Sequence, residues 1–308
     1  MPADGVVRIR RVSLVVGNLA AAEAFYCESF GFERVAQGVD GGGALAQLLG
    51  VEQVHTRSSV LRLGRDELEL TACDPRGRDY PPQSTAADLW FQHIAIVVAD
   101  MDEAYGALRR GRTMIPISTD GPERLPPNTG SVTAFKFRDP EGHPLELSMF
   151  PPGVGAARWQ APNASGNCLG IDHSALGVAD VATSLAFYTE TLGMSVTGRS
   201  VNRGPEQDRL DGLASDGVDI VALQPADPTS LHIELLGYPH PRHGRTRLRP
   251  NDIAATRLDF QVEDLPSLVE RLRAAGAEFI SPGAVTLASG TVAALVADPD
   301  GHLLLFSE

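Results

Sequence analysis

The alternation of apolar and polar positions opens the same strand four times along the chain. RRVSLVVGNL (10–19), QHIAIVVADM (92–101), DHSALGVADV (172–181) and TRLDFQVEDL (256–265) each run as an apolar strand ending in Asn or Asp before an apolar residue. They align without a gap, and their second residues, Arg11, His93, His173 and Arg257, stand 82, 80 and 84 residues apart. That period predicts a repeated unit. A helix is expected after each strand, because Asn18, Asp100, Asp180 and Asp264 sit where a side-chain oxygen accepts the first free backbone N–H groups. Two of these helices, 20–32 and 181–194, share AFY at 24–26 and 186–188, with Gly31 and Gly193 as stops. Their aromatic positions are expected to pack helix against sheet.

Each unit closes on a strand: RDELELTAC (65–73), GHPLELSMF (142–150), TSLHIELLGY (229–238) and GHLLLFSE (301–308). The turns DPEG (139–142) and DPDG (298–301) introduce the second and fourth, Pro and Gly supplying the turn geometry. One strand, a helix and a run of strands make a βαβββ module, and the fold class is α+β. The boundaries fall at 1–80, 81–152, 169–240 and 241–308. A linker at 153–168, within a Pro-, Gly- and Ala-rich stretch, divides the chain into halves 1–152 and 169–308. A half-open curved sheet must pair with another to bury its face, so four modules predict two cups. The polar, Pro-rich segment 117–131 has the character of a loop over a cleft.

Composition narrows the partners. The 308 residues carry 39 acidic against 26 basic side chains, a net charge of −13, which opposes binding to nucleic acid or an anionic membrane. The only lysine is Lys136. Cys27, Cys73 and Cys168 are too few and too widely spaced for a disulfide framework or a thiolate metal site. Arg8, Arg10 and Arg11 interrupt the N-terminal apolar run, and no stretch approaches the ~20 apolar residues of a membrane span. A cytoplasmic protein is expected, as monomer or homodimer, with a small molecule as its partner.

The strand D-H-x-x-L-x-V-x-D, the helix with AFY and LGM, and DPEGHPLEL together resemble the vicinal oxygen chelate superfamily, which holds glyoxalases, bleomycin-resistance proteins and extradiol dioxygenases. The resemblance covers nearly the whole chain. In that superfamily metal ligands come from the His position of the first strand and the Glu position of the last strand of two paired modules. Mapped here, the modules offer Arg11 and Glu69, His93 and Glu146, His173 and Glu234, and Arg257 and Leu305. Only the middle two modules are complete. Pairing of modules two and three would unite His93, Glu146, His173 and Glu234 in one cup, leaving a degenerate cup from one and four. Pairing of neighbours would separate the histidines.

Two imidazoles and one or two carboxylates suit a divalent Fe, Ni, Zn, Co or Mn ion, and no organic cofactor is expected. The ion would act as a Lewis acid toward neighbouring substrate oxygens, and Glu146 or Glu234 could move a proton. His232, two residues before Glu234, shares its strand face and is a further acid or base candidate. Asn202, Gln207 and Arg209 are expected near the cup rim as substrate contacts. His143 and His302 follow matching DPxG turns and read as structural, while His240 and His243 fall in a Pro- and Arg-rich connector.

Three functions follow from the resemblance. The first is a metal-dependent lyase or isomerase of the glyoxalase and epimerase type, in which the metal stabilises developing enolate charge on a substrate with vicinal oxygens. The second is an Fe(II) extradiol ring-cleaving dioxygenase, although Arg257 and Leu305 depart from its ligand pattern. The third is a metal-free sequestering protein of the bleomycin-resistance kind, which the aromatic content of 6% does not favour.

Overall fold

All four expected N-caps form. The side chains of Asn18, Asp100, Asp180 and Asp264 accept from the backbone N–H groups of Ala21, Glu103, Thr183 and Ser267. Each cap thus converts a strand into a helix at the same point of the repeat. A computed structural model describes residues 5–111, 114–160, 166–240 and 247–308. The first module comprises β1 (Val6–Val15), α1 (Leu19–Phe30), β2 (Glu33–Gly41), α2 (Gly43–Leu49), β3 (His55–Leu63) and β4 (Asp66–Asp74). The second comprises β5 (Gln92–Val98), α3 (Met101–Gly111), the short β6 (Ile115–Pro116) and β7 (Glu123–Arg124), β8 (Thr133–Arg138) and β9 (Pro144–Met149). The third comprises β10 (Cys168–Val178), α4 (Val181–Ala186) with a π turn over Phe187–Thr191, β11 (Ser195–Asn202), α5 (Pro205–Asp211), β12 (Val218–Gln224) and β13 (His232–Gly237). The fourth comprises β14 (Arg257–Val262), α6 (Leu265–Ala274), the short β15 (Glu278–Phe279) and β16 (Val285–Thr286), β17 (Val292–Ala297) and β18 (Leu303–Ser307).

Two helices depart from the expected βαβββ plan. α2 begins after Gly42, whose φ of 87° suits glycine, and buries Leu45, Leu48 and Leu49 at helical spacing. α5 begins after Gly204 at φ 101° with Pro205 in its first turn, and buries Gln207, Leu210 and Asp211. Both occupy the same place in their modules.

Strand pairing joins one module from each half of the chain. One sheet runs β15-β17-β18-β14-β1-β4-β3-β2 and unites modules four and one; the other runs β11-β12-β13-β10-β5-β9-β8-β6 and unites modules three and two. At each seam the opening strands run antiparallel, with Arg11 opposite Asp259 and His93 opposite Ala175. Each opening strand also runs parallel to the closing strand of its own module. The result is two curved-sheet cups.

The shared AFY and DPxGH motifs clasp the cups together. Tyr26 of α1 donates to Asp139 Oδ2 at 3.0 Å, and Tyr188 of the third module donates to Asp298 Oδ2 at 3.0 Å. His143 Nδ1 lies 2.8 Å from Asp139, while its Nε2 lies 3.0 Å from the carbonyls of Val15 and Ile253. His302 Nε2 reaches the Gly177 carbonyl at 2.8 Å. Each clasp is buried and links consecutive modules that belong to different sheets. This explains the structural character of His143 and His302. The linker contributes to the core as well, since Trp159 is buried and its Nε1 donates to Asp172 at 2.7 Å.

Candidate metal centre

The seam between β5 and β10 brings His93 and His173 together with ring centroids 5.5 Å apart. β9, parallel to β5, sets Glu146 Oε2 3.3 Å from His93 Nε2. β13, parallel to β10, sets Glu234 Oε2 3.5 Å from His173 Nε2. Ligand atoms of His93, Glu146 and His173 all lie within 4.8 Å of one another. These four side chains face a cavity of about 150 Å³, which Asn202 and Gln207 also line.

Hydrogen bonding makes the four groups unequal. Glu146 Oε1 accepts from Ser148 Oγ at 2.6 Å, and its Oε2 lies 3.7 Å from Lys136 Nζ. Glu234 lies beside the imidazoles of His173, at 3.5 Å, and His232, at 3.8 Å. His173 Nδ1 is held by Asp172 Oδ2 at 3.0 Å, which turns Nε2 into the cavity in the manner of a carboxylate-oriented ligand. Both ring nitrogens of His93 and Nε2 of His173 are buried without hydrogen-bond partners among the described residues.

Charge follows from these surroundings. Burial lowers the His93 pKa, leaving a neutral ring with a lone pair to offer. Burial acts in the same direction on His173, but Glu234, Asp172 and Glu146 outweigh it and raise that ring to about 9. Burial would raise Glu146 and Glu234, yet the neighbouring His93, Lys136 and His173 hold the first below its ordinary value, and His173 and His232 do so for the second. Asp172, despite burial, is held at about 2 by His173, His232 and Trp159. Two buried imidazole Nε2 atoms beside two ionised carboxylates fit a divalent cation.

The expected residues divide clearly. His93, Glu146, His173, Glu234, Asn202 and Gln207 meet at one cavity, and His232 stands at its edge, 3.9 Å from Asp172. Arg209 does not line it: its Nε and Nη2 donate to Glu123 at 2.7 and 2.9 Å. That pair ties α5 to the 117–131 segment, from which Leu125 and Thr129 reach the cavity. Arg247 pairs with Glu278 at 3.0 Å and His240 is exposed. His243, Arg242 and Arg245 lie outside the described residues.

Four further residues shape the site. Asp172 carries its signal in the sequence, adjoining the histidine of the third repeat. Lys136 lies between Phe135 and Phe137 on β8, so strand alternation turns it away from their buried face and opposite Glu146. Asp211, at the end of α5, accepts from Lys136 Nζ at 2.7 Å and from Gln207 and Tyr238 at 2.8 Å. Ser148 follows Glu146 by two residues on the same strand face.

The other cup replaces this chemistry. Arg11 and Arg257 stand where the histidines stand, and a guanidinium has no lone pair to give a metal. Arg11 Nε lies 3.5 Å from Asp259, Arg257 donates to the Pro250 carbonyl at 3.0 Å, and Glu69 accepts from Ser13 at 2.7 Å. Leu305 packs against an apolar cluster that includes Leu45, Ile253, Leu295 and Leu303. The carboxylates are already answered by fixed cations and hydroxyls.

A profile of the Glyoxalase/Bleomycin resistance protein/Dioxygenase superfamily matches residues 8–147 and 170–306. No curated protein sequence matches the chain. Among solved structures, glyoxalase I from Zea mays shares 18% identity, with 98% of this chain and 92% of that chain covered at a TM-score of 0.64. A Bacillus subtilis protein provisionally called a dioxygenase shares 12% identity, with 99% and 86% covered at a TM-score of 0.62. These likenesses are of fold. No helix among the described residues is long and apolar enough to cross a membrane.

Proposed function

Because the chain belongs to the glyoxalase/bleomycin resistance protein/dioxygenase superfamily, we propose that it is a metal-dependent enzyme of the glyoxalase-like lyase or isomerase type. Its substrate would be a small molecule with adjacent oxygens. The observation that carries this reading is the pair of buried Nε2 atoms of His93 and His173, without hydrogen-bond partners among the described residues, facing ionised Glu146 and Glu234. His93, His173 and Glu146 would hold the ion, with Glu234 as fourth ligand or proton carrier. When bound, the ion supplies Lewis acidity toward the substrate's oxygens. Glu146, fixed by Ser148 and facing Lys136, stays in place as an anion. Glu234 lacks such restraint and is the better placed of the two to take a proton from substrate carbon and return it. His232, 3.8 Å away, is placed to exchange that proton. Asn202 and Gln207 contribute neutral hydrogen-bonding groups on the cavity wall.

A second reading has its own support. His93, His173 and Glu146, whose ligand atoms lie within 4.8 Å of one another, are two histidines and one carboxylate, the composition of an iron facial triad. The extradiol dioxygenase reading therefore keeps its place as the alternative. The sequestering reading is disfavoured by a cavity of about 150 Å³, far below the roughly 300–1,000 Å³ of sites for drug-sized ligands. The discriminating experiment reconstitutes the protein with zinc, nickel or Fe(II) and assays it on hydroxy-carbonyl compounds and catechols while oxygen is monitored. Turnover without oxygen uptake supports the first reading. Oxygen consumption with Fe(II) and a catechol supports the second.

A further inference from the structure

The chain's single lysine faces the candidate metal centre. Lys136 is 4% exposed, and among the described residues its Nζ has one hydrogen-bond partner, Asp211 Oδ1, at 2.7 Å. Asp211 is itself fixed by Gln207 and Tyr238, so the ammonium is anchored from behind. An ammonium carries three N–H donors, and Glu146 Oε2 at 3.7 Å lies beyond hydrogen-bonding distance. Donors therefore remain for a guest in the cavity that Lys136 lines. Among the described residues no arginine lines that cavity, although Lys136 is the one lysine beside twenty-five arginines in the chain. In a space of about 150 Å³ a compact ammonium leaves more room for a guest than a planar guanidinium would.

Resting on the function proposed above, we infer that Lys136 binds a carboxylate of the substrate, which makes the substrate class small 2-hydroxy or 2-oxo acids. The spacing supports this. One oxygen, Glu146 Oε2, separates the ammonium from His93 Nε2, at 3.7 and 3.3 Å respectively. A short acid could therefore address the lysine with its carboxylate while its neighbouring oxygens lie beside the histidines. The carboxylates already present do not forbid an anion, because Asp211 is answered by Lys136 itself and Glu146 and Glu234 would be offset by a divalent cation. Asn202 and Gln207 add no charge to the wall: Asn202 Nδ2 donates to Gln207 Oε1 at 3.1 Å and Gln207 Nε2 donates onward to Asp211 at 2.8 Å, so the lysine is the group on that side with donors to spare.

The single lysine also provides the test. Protein labelled with ¹³Cε-lysine gives one side-chain resonance. Zinc-loaded protein is titrated with lactate and oxalate, and with hydroxyacetone and propane-1,2-diol as neutral counterparts. Calorimetry follows the same probes on Lys136→Met, and metal content is measured for both proteins. The expected result is that the acids shift the lysine resonance and the neutral compounds do not. Lys136→Met should lose about tenfold to a hundredfold in acid affinity, the range of a hydrogen bond to a charged group, while retaining zinc. Acids that leave the resonance unmoved, fail to bind, or bind wild type and Lys136→Met alike would overturn the inference. So would loss of zinc from Lys136→Met, which would assign the lysine to holding Glu146. If the wild type holds no stoichiometric metal, the function proposed above fails; the acid-versus-neutral contrast on the resonance still judges the lysine separately, even if Lys136→Met does not fold.

Discussion

A cation entering the candidate centre must expel a proton. His173 stands at about 9 against an ordinary 6.5 because Glu234, Asp172 and Glu146 surround its ring and outweigh burial. That difference, about two and a half pH units at about 1.4 kcal/mol each, is interaction favouring the imidazolium. At pH 7 the ring is protonated, whereas a metal needs its lone pair. Apparent affinity for zinc should therefore rise about tenfold per pH unit between pH 7 and 9, and lie about a hundredfold below its limiting value at pH 7. Calorimetry in two buffers of different ionisation enthalpy should give about one proton released per ion at pH 7. Asp172→Asn removes the charge beside Nδ1 while leaving an amide oxygen that can accept from it, so proton release should fall and the pH dependence flatten. The same shift has a stability consequence of defined sign. The folded value exceeds the unfolded one, so this contribution to the metal-free protein is complete below pH 6.5 and is lost as pH rises through about 9. The stability advantage of wild type over His173→Gln should shrink over that interval. Zinc affinity independent of pH, with no proton released at pH 7, would refute the assignment.

Two further predictions concern the scaffold. Tyr26→Phe should cost about 1–2 kcal/mol in urea unfolding and His143→Ala about 3–5, since the latter leaves buried Asp139 without its cation. Against burial, Asp139 and Glu141 raise the His143 pKa, so the His143→Ala cost should be larger at pH 6 than at pH 9, and a cost below about 1 kcal/mol would contradict the clasp. Arg209→Ala breaks a partly exposed pair and should leave global stability little changed, yet speed proteolytic cleavage within 117–131. Unchanged cleavage would show that the Glu123 tie does not hold that segment.

What could be read from the chain depended on whether a residue's role was set locally. The four caps were legible because a cap is satisfied within three residues, as Asn18 and Ala21 show. The meeting of His93 and His173 was legible as one of two pairings, because it alone collects both complete repeats in one cup. α2 and α5 were not, since a short apolar run such as ALAQLL suits strand or helix until packing decides. The clasps needed distance: Tyr26 and Asp139 are 113 residues apart, and nothing near either specifies the other. Lys136 was visible as the only lysine, but its anchoring by Asp211 depends on contact between the second and third modules. Arg209, expected near the rim, sits on α5 but turns toward Glu123, a choice made by a carboxylate from another module.

One chain is expected to hold one metal between modules two and three. Metal content should be measured per chain on protein purified without chelator or added metal and after reconstitution, for wild type, His93→Ala, His173→Ala and Arg11→Ala. The account predicts about one ion per chain, lost from both histidine variants and retained in Arg11→Ala, whose arginine belongs to the other cup. Wild type that binds none of zinc, nickel, cobalt, manganese or iron, or histidine variants that keep the ion, would contradict it.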